Sequence, residues 1–214
     1  MRHISFALTT QQFLNQAKFV TRRLGWANLQ PGTHLMGVEK GMGLKKGEKV
    51  KRLGEIVVER ADREPLSAIE NQCGWRDSVL EGFPHMPPTE FVEMFCKHNR
   101  CDPDTEVTRI QFHYAGGAGI EALPWKALIL VGTLYVNDAT PWRTGNRYAL
   151  YDRKRMQFIP INTWAREDHL GGWPPHLEAM VAKTVEIRGD AQILPGTNII
   201  AAVRPEFIEP TPTP

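Results

Sequence analysis

Cysteine is scarce in this chain: Cys73, Cys96 and Cys101 are the only three in 214 residues. An odd number cannot complete a disulfide framework and fits a chain kept in a reducing compartment. Cys96, His98 and Cys101 lie close together, but their spacing matches no standard zinc pair, and only Cys73 or His85 could complete four ligands. Free thiols and no metal site are therefore expected. Long apolar runs are missing too. Ala127–Val136 is the longest and contains Gly132 and Thr133. It falls well short of the roughly 18 residues that mark a membrane-spanning helix. Arg2-His3-Ile4-Ser5 is too short and mixed for a signal-peptide core, so a cytoplasmic chain with no membrane partner is expected. Gly-Lys-[Ser/Thr] is absent from the glycine-rich stretch, which excludes a Walker loop. No cofactor is implied.

An overall excess of either charge is also lacking, since the formal net charge is +2. Its distribution is uneven. Residues 18 to 52 carry nine Lys/Arg against two acids, Glu39 and Glu48. Residues 53 to 114 carry six against twelve, and residues 115 to 214 balance at ten each. A near-neutral chain thus contains one strongly basic segment, the footprint expected of a nucleic-acid or nucleotide site. With 42% hydrophobic residues there is enough apolar material for a packed core.

The basic segment opens with Gln16-Ala17-Lys18-Phe19-Val20-Thr21-Arg22-Arg23. Neighbouring positive charge disfavours a protonated lysine, and a neutral lysine near a threonine hydroxyl is a base beside a nucleophile. The same cations suit a phosphate, and a basic helix terminus with no function accounts for them as well. Thr9 and Gln12 are spaced as a capping box, placing a helix start near Thr10 with Phe13, Leu14 and Ala17 toward the core. If that helix continues, Lys18, Thr21 and Arg22 share a face. If the chain extends, Lys18, Val20 and Arg22 point one way and Phe19, Thr21 and Arg23 the other. Downstream, Glu81 precedes Gly82 at an expected helix end, where a carboxylate opposes the dipole and calls for a cationic partner such as Lys18 or Arg23.

Lys18-x-x-Thr21-x-Arg23 resembles the G-x-K-x-x-[TE]-x-R signature of ASCH domains, β-barrel relatives of the PUA RNA-binding fold. The resemblance covers about residues 3 to 114 and takes in Gly32, Val38-Glu39-Lys40, Glu81-Gly82-Phe83, the helix around Glu90-Phe91 and the strand Val107–Tyr114. It departs at the signature's glycine, which falls on Gln16. The family includes an N4-acetylcytidine amidohydrolase, and the resemblance implies Lys18 as base, Thr21 as nucleophile and Glu81 as handler of the leaving amine's proton. Arg23, or Arg22, would then hold the developing oxyanion. The wider superfamily implies RNA binding without chemistry.

Around this motif, Thr33–Lys40 and Lys49–Arg60 read as strands flanking Gly41-Met42-Gly43-Leu44-Lys45-Lys46-Gly47-Glu48. Lys40, Lys45 and Lys46 make that loop a candidate phosphate contact or a plain solvated tip, and Trp26 could stack a base or line a core. Pro87-Pro88 opens a helix to about His98 with Phe91, Met94 and Phe95 as its apolar stripe. Val107–Tyr114 alternates as a strand with one buried face.

Ala115-Gly116-Gly117-Ala118-Gly119 marks the expected boundary, with a linker over 115–122, a small β-rich module over 123–208 and a disordered tail over 209–214. In the module, Ala127–Val136 reads as a buried strand ending at Asn137-Asp138. Asn146–Asp152, Met156–Ile161, Lys183–Arg188, Ala191–Leu194 and Asn198–Val203 read as short strands, and His176–Ala182 as a helix. Arg188-Gly189-Asp190 is expected as a strand turn and Arg153-Lys154-Arg155 as a basic tip. Trp125, Trp142, Trp164 and Trp173 are expected to be buried aromatics. The expected whole is an α+β chain: an N-terminal PUA-like/ASCH β-barrel with flanking helices, then the β-rich module. RNA or a modified nucleoside is the expected partner, with amide hydrolysis or a purely structural role as alternatives.

Overall fold

A computed structural model describes residues 1–70, 74–136, 148–161 and 180–211. Cys73, the Asn137-Asp138 turn, Trp142, Trp164, Trp173, most of the helix expected at His176–Ala182 and residues 212–214 lie outside the described residues.

The class is α+β and mostly sheet. β1 (Arg2–Ser5), β2 (Val20–Arg23), β3 (His34–Val38), β4 (Arg52–Pro65) and β5 (Glu106–Tyr114) form one sheet in the order β1-β3-β4-β5-β2. α1 (Thr10–Leu14), α2 (Gly74–Leu80) and α3 (Pro88–Asn99) are inserted between its strands. β6 (Trp125–Val136), β7 (Tyr148–Asp152), β8 (Gln157–Ile161), β9 (Thr184–Ile193) and β10 (Ile200–Pro210) close into a barrel in the order β10-β8-β7-β6-β9. This corrects the expected location of the barrel. The closed ring lies in the C-terminal half, whereas the N-terminal sheet has β1 and β2 as ladder edges. Those edges are tied by a side chain, since the Arg23 guanidinium on β2 donates to the Ser5 carbonyl on β1.

Within the first sheet Phe6, Phe13, Phe112 and Tyr114 pack as a ring cluster, with Phe6–Phe13 centroids 4.5 Å apart and Phe13–Tyr114 5.1 Å. Gly37 leaves the room that Phe13 fills, because a Cβ there would meet the Phe13 ring at 2.5 Å. β5 departs from the expected one-sided burial: Arg109 and Gln111 are buried along with Ile110 and Phe112. Its second face is covered by α2, which supplies the carboxylate that pairs Arg109.

α1 is only five residues long, and Thr9 makes no side-chain cap, which corrects the capping-box expectation. Thr10 Oγ1 instead donates to the Phe6 carbonyl at 2.9 Å. The helix then breaks at Gln16, whose φ of +53° is left-handed. That is the position where the ASCH signature carries glycine, and a side chain there is strained by roughly 1 kcal/mol. The break lets Lys18–Phe19 run extended: the Phe19 amide donates to Leu80 at the end of α2, and the Phe112 amide of β5 donates back to Phe19. α3 buries Phe91, Val92 and Phe95, with Met94 only partly covered.

In the barrel, β6 is not fully buried as expected. Leu130 and Leu134 point into the core while Ile129, Val131 and Tyr135 face outward, the period-2 pattern of a barrel wall. Arg188-Gly189-Asp190 lies inside continuous β9 rather than in a turn. Gly189 is needed there because a Cβ would fall 2.1 Å from the Arg204 carbonyl of β10. β10 extends through Glu209 and Pro210, the first two residues of the expected tail. The two halves are packed together. Ile120, in a 3₁₀ turn over Ile120–Ala122, is fully buried with Leu194 and Ala201 in the first core. Trp75 stacks on Phe158 at 4.4 Å, and Gln192 Nε2 donates to the Ile120 carbonyl at 2.7 Å.

Gln16→Gly should therefore stabilise the fold by about 0.5 kcal/mol, the relief of roughly 1 kcal/mol of left-handed strain less about 0.5 kcal/mol for the extra freedom of the unfolded chain. Urea unfolding checks this, and an unchanged or lower midpoint would show that the turn is not strained.

Candidate functional site

β2 and β5 pair so that Arg22 lies directly opposite Arg109. Like charges in that position repel, so the pair needs a counter-charge. Asp77, on α2, supplies it. Asp77 Oδ2 accepts from Arg22 Nη2 at 2.6 Å and from Arg109 Nε at 2.7 Å, and Oδ1 accepts from Arg109 Nη2 at 2.8 Å. Arg22 spreads further, with Nε donating to Glu64 Oε1 at 2.9 Å and Nη1 to Glu81 Oε1 at 3.4 Å. Glu81 Oε2 in turn accepts from Lys18 Nζ at 2.8 Å, and Lys18 also donates to the Glu81 carbonyl. Tyr114 Oη holds the Lys18 carbonyl at 2.8 Å. The result is an ionic chain from Lys18 through Glu81, Arg22 and Asp77 to Arg109, all buried.

Among the described residues Lys18, Arg22 and Arg109 pair with Glu64, Asp77 and Glu81, and Arg23 feels the Glu81 charge while donating to backbone carbonyls. Of these cations lysine gives up a proton more readily than arginine. Burial pushes the Lys18 amine down to about 8; Glu81 opposes the shift, while Arg23 and Arg22 add to it. Burial also works against the Arg22 charge, yet Asp77, Glu81 and Glu64 outweigh it and hold that guanidinium above its ordinary value. For Asp77 burial favours the neutral acid, but Arg22 and Arg109 overcome it and hold the carboxyl well below the usual range. Glu64 moves the other way, raised by burial against the pull of Arg22.

Lys18, Arg22, Arg23 and Glu81 therefore lie together at one site. Thr21 lies in the same strand, fully buried, and its Oγ1 has no hydrogen-bond partner; Lys18 Nζ donates to Glu81, not to Thr21. Trp26, half-buried beyond β2, has the Arg2 guanidinium stacked 3.6 Å from its ring centre. Lys40, Lys45 and Lys46 are exposed on the loop between β3 and β4. Lys40 stands 4.0 Å from Glu48, and the Lys45 amide donates to the same carboxylate. This loop is rooted beside the buried cluster: Ser5 Oγ donates to the Glu39 carbonyl, while the Ser5 carbonyl accepts from Arg23.

Asp77, Arg109 and Glu64 were not singled out by the sequence reading. A signal for Asp77 existed, since Asp77 and Glu81 are four residues apart and share a helical face. Arg109 and Glu64 carry no local signal and are brought in by strand register. Among the described residues no group of three His, Cys, Asp or Glu could hold a metal ion. Nor is any described helix long and apolar enough to cross a membrane.

No protein-family model matches the chain, and no curated protein matches it. Among solved structures, a crystal structure of an Enterococcus faecalis V583 protein described under the family label DUF984 aligns with a TM-score of 0.32. Identity is 13%, over 50% of this chain and 69% of that one. A likeness at that level carries no argument about fold or function.

Asp77→Asn removes the one charge between two buried arginines and should cost about 3–5 kcal/mol. The native Asp77 carboxyl lies below its unfolded value, so its contribution is complete above about pH 4–5 and lost as pH falls below that. Unfolding free energies measured from pH 6 to pH 2 should fall less steeply in Asp77→Asn than in the parent. Equal slopes would remove Asp77 as the anchor of the cluster.

Proposed function

We propose that the chain recognises a nucleoside, free or within RNA, at the Lys18–Glu81 pair. The observation that carries this reading is a buried amine and carboxylate side by side, one donor and one acceptor, at the foot of an exposed basic loop. A carboxylate accepts from the exocyclic amine of cytosine, and an amine donates to the adjacent ring acceptor, so the pair suits that base edge. Arg23 and the loop lysines Lys40, Lys45 and Lys46 would meet the sugar–phosphate side. With Lys18 and Arg22 spent on carboxylates inside the fold, phosphate attraction is left to the loop, and the expected partner is short or nucleoside-sized. The resemblance of Lys18-x-x-Thr21-x-Arg23 and Glu81 to ASCH domains points the same way.

A second reading, hydrolysis of an N-acyl group from a modified pyrimidine such as N4-acetylcytidine, is favoured by two specific observations. Burial pushes the Lys18 amine down to about 8, and the Thr21 hydroxyl has no hydrogen-bond partner among the described residues. Neutral Lys18 would take the Thr21 proton as Thr21 Oγ1 bonds to the acyl carbon. The carbon–nitrogen bond then breaks, Glu81 passes the proton to the leaving amine, and water releases the acyl group from threonine. This chemistry requires Thr21 Oγ1 to come within hydrogen-bond reach of Lys18.

The test is titration of a short cytidine-containing single-stranded RNA, with the N4-acetylated form run in parallel and its products followed by chromatography. Lys18→Met should abolish binding while circular dichroism stays unchanged. The double variant Lys45→Ala/Lys46→Ala should reduce the log–log salt slope by about 1.4, two phosphate contacts on a single strand. Deacetylation lost in both Lys18→Met and Thr21→Val would establish the second reading. Parent-like binding by folded Lys18→Met would refute both.

A further inference from the structure

α3 ends in a left-handed turn at Arg100, with φ +55° and ψ +53°. The amides of Arg100 and Cys101 both donate to the Cys96 carbonyl, the latter at 3.2 Å. In a helix cap of this kind the residue that supplies the carbonyl and the residue after the left-handed one come side by side, and their side chains commonly touch. Here those two residues are Cys96 and Cys101. Both residues are half-buried, so solvent reaches them. They sit at the margin of the small apolar cluster formed by Leu66, Ile69, Phe91, Val92, Phe95 and Val107. The nucleoside reading makes no use of them.

Two cysteines brought together by a helix cap have a chemistry that separate thiols lack. A disulfide requires Cα atoms within roughly 4.4–6.8 Å and side chains that point toward each other. A backbone hydrogen bond already joins these residues, so the bridge would close a loop whose ends the fold holds together. We propose that Cys96 and Cys101 form a reversible dithiol–disulfide pair, oxidised by a low-molecular-weight disulfide such as glutathione disulfide. The thiolate of one cysteine attacks a glutathione sulfur, forming a mixed disulfide and releasing one glutathione thiolate. The second cysteine gives its proton to water and attacks the protein sulfur of that mixed disulfide, forming the Cys96–Cys101 bond and releasing the second glutathione. The protein loses two protons and two electrons, and one glutathione disulfide becomes two glutathiones. Burial, with Cys101 beside it, pushes the Cys96 thiol up, so the exchange accelerates above neutral pH.

The full-length chain, equilibrated in glutathione redox buffers and quenched by alkylation, is then weighed intact and mapped as peptides. The expected product has lost two hydrogens, about 2 Da, and yields a peptide joining Cys96 to Cys101. In concentrated urea the same bridge should need a buffer at least about tenfold more oxidising, because the cap no longer holds the sulfurs together. Cys101→Ser should instead accumulate glutathione on Cys96. Bridging that involves Cys73, glutathione on both Cys96 and Cys101 in the folded parent, or the same midpoint with and without urea would each overturn the proposal.

Discussion

Asp77 stands between two arginines that strand pairing forces face to face. Arg22 and Arg109 occupy opposite positions on β2 and β5, inside the protein, where neither can turn to water. Without a carboxylate between them this register would carry a buried repulsion, and a one-residue slip would turn every side chain of β2 to the other face. Asp77 resolves the conflict by accepting from both arginines at 2.6–2.8 Å. It also fixes α2 over the sheet, and α2 carries Glu81 one turn further on. The position of Lys18 follows from that, because Phe19 bonds to the last carbonyl of α2 and Lys18 bonds to Glu81.

Burial is what lowers the Lys18 amine most, and the nearby Arg23 and Arg22 add to it against the pull of Glu81. Arginine keeps its proton under all ordinary conditions, so lysine is the member of the cluster whose charge can change. Removing the lysine alone would leave Glu81 with only its long contact to Arg22, whereas an apolar pair in place of both residues would serve a purely structural cluster. What sets Lys18 apart is that it pairs with the carboxylate that has the weakest hold on Arg22, at 3.4 Å, leaving Glu81 shared between a fixed cation and an adjustable one. On the proposed reading, a ligand that supplies its own donor and acceptor would replace that pairing without stranding a charge.

Several parts of this architecture were legible in the sequence. Pro87-Pro88 and the spacing of Phe91 and Phe95 marked α3, alternation marked β5, and short strand-like runs between turn signals marked β3 and β8. The glycine-rich basic stretch marked the loop between β3 and β4. Glu81 stood out because a carboxylate before a helix-ending glycine opposes the dipole. The left-handed Gln16 was visible only as a departure from the ASCH signature. Other parts were not legible for definite physical reasons. The closed barrel depends on the parallel meeting of β8 and β10 at Val203 and Ile161, a contact between distant segments with no local signature. β6 reads as uniformly apolar, so its outward residues Ile129, Val131 and Tyr135 could not be told from its inward ones. β9 continues through Gly189 because the neighbouring strand comes too close for a side chain, while in sequence the same glycine signals a turn. Arg109 reads as the solvent side of an amphipathic strand until α2 covers it.

Lys18 is a buried amine whose charge is set by its burial and by its neighbours in the cluster. The direct measurement is an NMR titration of the Lys18 side-chain Cε and Nζ resonances, assigned by comparison with Lys18→Met, from pH 6 to pH 11. The amine should titrate near pH 8, well below the ordinary lysine value of about 10.4. A Lys18 amine that titrates at the ordinary lysine value would be the contrary result, since burial would then not be acting on it.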